Sequence, residues 1–87
     1  MASDGLTLAF GKVLRKLRKA QGLSQEELAH QARTGQPYIS LLEAGHHSPS
    51  LLTMGLLAAA FRMTVSDLVR RAEREVDRPD RGRRSAR

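Results

Sequence analysis

Residues 24–45 read SQEELAHQARTGQPYISLLEAG, and the caps and apolar side chains of this stretch decide the fold. Ser24-Gln25-Glu26-Glu27 has the form of a capping box, in which the Ser24 hydroxyl accepts from the Glu27 backbone and the Glu27 carboxylate reaches back to the Ser24 amide. The helix so started turns Leu28, Ala29 and Ala32 inward and stops by Arg33-Thr34. A second helix opens at Gly35-Gln36-Pro37, because proline belongs in a first turn, where its missing N–H has no partner to lose. It turns Ile39 and Leu42 inward and ends at Gly45; the same spacing turns Gln36, Pro37, Ser40, Leu41 and Ala44 outward. Ala29 sits where a side chain larger than methyl would strike the second helix. Two short helices held at a steep angle by Leu28, Ala32, Ile39 and Leu42 form a pair whose second member has the dimensions to enter a DNA major groove.

Outside this pair the punctuation is also helical. Leu6, Phe10, Val13, Leu14 and Leu17 recur at helical spacing and predict an amphipathic helix that ends near Gln21-Gly22. His46–Pro49 reads as a loop. Ser50 caps a fourth helix with Leu51, Met54, Leu57, Ala58 and Phe61 on its core stripe, and Thr64-Val65-Ser66-Asp67 opens a fifth. The expected architecture is all-α, a compact bundle of five helices. Its domain spans residues 10–69, with the helix pair at 25–44, and residues 1–9 supply an N-terminal arm and the start of the first helix. Residues 70–87 carry eight Arg, four acids and one large aliphatic residue, Val76, so they read as a basic tail, disordered beyond about Val76; Arg70–Glu75 is compatible with one more turn of the last helix.

A chain of 87 residues makes one domain, and the absence of cysteine leaves no disulfide or thiolate–zinc staple. The 15 Lys and Arg against 9 Asp and Glu give a net charge of +6, which points to a polyanionic partner. One Tyr and two Phe are too few for a single-strand stacking platform. No apolar run matches a membrane span and Met1–Leu6 lacks the pattern of a signal peptide, so a cytoplasmic location is expected. The first helix has a basic face at Lys12, Arg15, Lys16, Arg18 and Lys19, as membrane-surface helices do, but its apolar face is needed for the core and no membrane partner is expected. No Gly-x-Ser-x-Gly elbow, glycine-rich phosphate loop or paired catalytic carboxylates occur, so no enzyme and no cofactor are expected. His30, His46 and His47 lack the spacing and companions of a metal site.

Four stretches in register, Leu14–Arg18 (LRKLR), Gly22–Ala29 (GLSQEELA), Tyr38–Gly45 (YISLLEAG) and Pro49-Ser50-Leu51, resemble the phage-repressor-type helix-turn-helix family, also called the Xre or Cro/repressor family. The resemblance covers about residues 10–69. It implies a lambda-repressor-like fold and a sequence-specific transcriptional regulator, a repressor, that binds double-stranded DNA as a homodimer on a palindromic operator. By the same resemblance Gln25 touches a phosphate and braces the recognition helix, and Gln36 reaches a base edge, where glutamine pairs with adenine. The His46-His47-Ser48 loop is implied at the DNA backbone, and Arg33, with Thr34 beside it, is expected to add a phosphate contact of its own. Gln36, Pro37, Ser40 and Leu41 face the groove, Leu41 either against a thymine methyl or simply as an exposed leucine. Tyr38 has two open readings, a DNA contact or packing against Pro37 and Leu41. Arg18 and Glu43 lie at the edges of inward stripes and need partners; they are expected to pair with each other, as the equivalent residues do in relatives. Two departures bear on the turn. Relatives carry glycine where Arg33 stands, in a left-handed conformation, and serine or threonine where Gly35 caps the recognition helix.

The fourth helix carries a second apolar stripe, Leu52, Leu56 and Ala59, with Met63, Val65 and Val69 at its rim. Such a stripe on a small domain suggests a subunit interface, the alternative cover being a folded-back tail. The alternative function is an antitoxin-type or adaptor protein that mainly binds a protein partner.

Overall fold

The computed structural model describes residues 5–77, in which α1 spans Gly5–Ala20, α2 Gln25–Gln31, α3 Gln36–Glu43, α4 Leu51–Ala60 and α5 Val65–Asp77, with no strand. The helix starts follow their caps. The Glu27 N–H donates to Ser24 Oγ (2.9 Å) and the Ser24 N–H donates to Glu27 Oε1 (2.7 Å), a complete capping box. Ser50 Oγ accepts from the Thr53 N–H (3.1 Å), and Thr64 Oγ1 accepts from the Asp67 N–H (3.0 Å). α3 starts on Gly35 without a side-chain cap, with proline in its first turn.

The helix ends share one device. α1, α2, α3 and α4 each close through a left-handed residue, respectively Gly22 (φ 70°), Arg33 (φ 59°), Gly45 (φ 79°) and Arg62 (φ 59°). The next N–H then folds back onto the last turn: Leu23 to the Arg18 carbonyl, Thr34 to Ala29, His46 to Leu41 and Met63 to Ala58, at 2.8–3.1 Å. Arg33 therefore adopts the left-handed conformation that favours glycine.

Leu14, Leu28, Ile39, Leu42, Leu57 and Leu68 are fully buried and form the centre of the core. Each such side chain contributes about 1.5–3 kcal/mol by leaving water. The core draws on every helix, and this packing of apolar faces supplies most of their stability. α1 packs along α5 and also meets α3, where a Cβ on Gly11 would fall against the Leu42 carbonyl oxygen and within 2.7 Å of that of Glu43. Backbones approach here closely enough that only glycine fits.

Three expectations are corrected. The fold does not stop at residue 69: α5 runs to Asp77 and buries Ala72 beside Leu68, and Lys16 of α1 pairs with Glu75 (3.1 Å). Leu51, assigned to the core stripe of α4, is 77% exposed, because it stands at the edge of an open groove beside Leu6, Phe10 and Met54 and no side chain closes over it. Leu6, assigned inward, is also exposed. The expected arm at residues 1–4 and tail at residues 78–87 lie outside the described residues.

Candidate nucleic-acid interface

α2 and α3 face each other through buried Leu28, Ala29, Ala32, Ile39 and Leu42, and this packing fixes what α3 shows to solvent. Pro37, Leu41 and Ala44 are exposed and Gln36 and Ser40 half-buried, all on the face away from Ile39 and Leu42. Leu41, at 38% exposure, is the large apolar group of that face. Tyr38 is half-buried: it packs against the core cluster, and its ring centroid lies 6.2 Å from that of His47. Tyr38 thus links the first turn of α3 to the His46-His47-Ser48 loop, whose three residues are exposed.

The interior of the motif is organised by ions and amides. Arg18 Nε donates to Glu43 Oε2 (2.6 Å) and Nη2 donates to Glu43 Oε1 (3.1 Å), a bidentate pair with side chains only 10% and 4% exposed. Arg18 Nη1 donates to the Leu23 carbonyl (2.9 Å), so both edges of the guanidinium are used. The hydrogen bond to Glu43 raises the Arg18 pKa above its ordinary value, against the smaller opposing effect of burial. Glu43 Oε1 also accepts from Gln25 Nε2 (3.0 Å), and Gln25 Oε1 accepts from Gln36 Nε2 (2.6 Å). One continuous chain of hydrogen bonds therefore runs from α1 through Glu43 and Gln25 to the first residue of α3.

The residues singled out from the sequence fall into three groups. Arg18 and Glu43 meet, and Gln25 and Gln36 meet, joined through the same carboxylate. Arg33, Pro37, Leu41, His46, His47 and Ser48 are exposed, with Thr34 and Ser40 half-buried beside them. The α4 stripe is uneven: Leu52 is 73% exposed and Ala59 exposed, whereas Leu56, Met63 and Val65 pack partly against the core and Val69 is half-buried. Beside exposed Leu51 lies a groove of about 320 Å³ lined by Leu6, Phe10, Pro49, Met54 and Val69 among others. Sequence reasoning missed the Gln25–Glu43 contact, although a carboxylate with acceptor capacity beyond one guanidinium was a signal for it. Among the described residues no group of three His, Cys, Asp or Glu could hold a metal ion, and no single helix is long and apolar enough to cross a membrane.

With this geometry in hand, comparison with known proteins gives a consistent picture. A family model described as helix-turn-helix matches residues 14–68. The chain is 42% identical over 60 residues to the HTH-type transcriptional regulator DdrOP3 of Deinococcus deserti, a match that covers 69% of this chain and 46% of that protein. It is 35% identical over 73 residues to the control protein C.MunI of a Mycoplasma species, covering 83% of this chain and 99% of C.MunI. Among solved structures it is similar to the restriction-modification controller protein C.AhdI from Aeromonas hydrophila, with a TM-score of 0.68 and 37% identity over 71% of this chain and 94% of that one. The chain thus spans under half of DdrOP3 and nearly all of C.MunI.

Proposed function

The chain belongs to the helix-turn-helix family of phage-repressor-like transcriptional regulators, and from that premise we propose that it binds a palindromic double-stranded operator as a homodimer and represses transcription from it. The observation that carries this reading is the outward face of α3, where Gln36, Ser40 and Leu41 project from a helix held by the Arg18–Glu43 pair and the Gln25–Gln36 bond. Their chemistry suits base edges: Gln36 an adenine, Leu41 a thymine methyl. Gln25, Arg33, Thr34 and the His46–Ser48 loop supply phosphate contacts that set register and make affinity salt-dependent. Two recognition helices related by a two-fold axis read half-sites about 34–36 Å apart. Leu51 and Leu52, exposed side by side at 77% and 73%, support a subunit contact at the start of α4.

The test is selection from a randomised duplex pool by the full chain at about physiological salt, repeated with Gln36→Ala. Enrichment of a palindrome, with the variant losing preference at one position in each half-site, is expected. Binding that enriches no sequence would overturn it. The same exposed leucines also support the second reading, an antitoxin-type or adaptor protein; recovery as a stoichiometric complex with another protein, with no selected operator, would favour that one.

A further inference from the structure

Gln36 is not free to offer a base everything that a glutamine carries. A side-chain amide has one acceptor oxygen and two N–H donors. The Glu43 carboxylate, gripped by the Arg18 guanidinium, can only accept, so Gln25 must turn its Nε2 towards Glu43 Oε1 (3.0 Å). That leaves Gln25 Oε1 facing Gln36. A carbonyl oxygen also only accepts, so Gln36 must turn its own Nε2 towards it (2.6 Å). One of the two Gln36 donors is spent inside the protein, leaving one N–H and the acceptor Oε1 for a ligand.

That remainder distinguishes the two purines. In the major groove adenine shows an acceptor, N7, beside a donor, N6, and one N–H with one oxygen matches both. Guanine shows two acceptors, N7 and O6, and would need both N–H groups of Gln36, one of which belongs to Gln25. We infer that Glu43, acting through Gln25, is a positioning residue that excludes guanine at the base facing Gln36 by consuming one of its donors. This rests on Gln36 reading a base, as proposed above.

The relay also has a direction that a single atom reverses. In Glu43→Gln, Arg18 holds the new carbonyl oxygen and the new Nε2 faces Gln25. Gln25 then turns its oxygen to residue 43 and its Nε2 to Gln36, whose oxygen now accepts that bond and keeps one lone pair. Both Gln36 donors become free, the set that guanine accepts.

The experiment uses the full chain and duplexes that differ only at the base pair whose preference Gln36→Ala removes, comparing Kd for A·T and for G·C. Glu43→Gln is expected to lower the A·T-over-G·C ratio by about tenfold and move it towards guanine. Gln25→Met, which leaves the Arg18–Glu43 pair in place, is expected to relax the same ratio without inverting it, and reports even where Glu43→Gln folds poorly. The combined variant Gln25→Glu with Glu43→Gln puts the carboxylate next to Gln36, forces donation again and is expected to restore the ratio. A purely structural role would weaken every duplex alike and leave the ratio unchanged. An unchanged ratio in Gln25→Met, with preference still lost in Gln36→Ala, overturns this inference while the DNA-reading role stands. Full preference retained in Gln36→Ala overturns both.

Discussion

Arg62 repeats, at the end of α4, the backbone conformation that Arg33 adopts at the end of α2, with φ at 59° in both. A left-handed L-residue costs about 1–2 kcal/mol, of which glycine recovers all but its greater freedom in the unfolded chain, about 0.5–1 kcal/mol. Arg33→Gly and Arg62→Gly are therefore each expected to stabilise the domain by about 0.5–1 kcal/mol, read as a rise in Tm of roughly 2–8 °C. The two should part company in DNA binding. Arg62→Gly should leave affinity as it was, whereas Arg33→Gly should bind more weakly with a shallower salt dependence. Unaltered binding by Arg33→Gly at every salt concentration would remove Arg33 from the interface.

Gly11 and Gly55 offer a contrast between two helix-interior glycines. A Cβ at Gly11 would press on the carbonyls of Leu42 and Glu43, which belong to backbone and cannot swing aside. Gly11→Ala is expected to cost about 1–3 kcal/mol by driving α1 off α3. A Cβ at Gly55 meets nothing within 4 Å, so Gly55→Ala should gain up to about 1 kcal/mol of helix propensity. Urea denaturation of the pair checks both signs, and equal effects would refute the close approach of α1 to α3.

Asp67 gives the domain an acid limb. Its carboxylate accepts from the Thr64 backbone N–H, the largest cause of its lowered pKa, and lies beside Arg70 (3.3 Å). Because the folded-state pKa is the lower one, this contribution is complete above the ordinary aspartate value and is lost as pH falls through the depressed one. Melting followed from about pH 6 down to pH 2 should show a decline below roughly pH 4 that is shallower in Asp67→Asn. Identical acid limbs in the two proteins would rule out a coupling between this cap and stability.

Leu51 and Leu52 can be tested without disturbing the core. Both are largely exposed, whereas Leu56 packs partly against buried residues and would confound association with folding. Leu52→Glu, and more so with Leu51→Glu, should sediment as a monomer, keep its Tm at low protein concentration and bind the operator at least tenfold more weakly. A dimer that survives both changes would locate the contact elsewhere.

Much of the helical frame was legible because its signals are local. Ser24 and Glu27 form their box within one turn, and Ile39 and Leu42 point inward by spacing alone. Arg18 and Glu43 could be paired because long charges at the edges of apolar stripes need partners and the family resemblance implies that these two meet. What was hidden depends on distant backbone. The charge of Arg70–Glu75 concealed that Leu68 and Ala72, one turn apart, carry α5 deep into the core. Leu51 has the spacing of a core residue, but it lines an open groove with Leu6 and Met54 instead of a packed interior. No residue type announces the left-handed Arg62, and Gly11 declares its role only once α3 is seen against it.

The recognition helix is eight residues long and has no side-chain cap of its own, yet it is clamped at its start by Gln25 and at its end by Arg18 and the flank of Gly11. Its shape is thus borrowed from α1 and α2, and of the outward-facing side chains Gln36 is the one that also takes part in the clamp. Pro37, Leu41 and Ala44 can be exchanged without touching any clamp. In evolutionary terms the frame and most of the face it presents are separately heritable: the exposed side chains at 37, 41 and 44 can be replaced while the frame that presents them stays under its own selection.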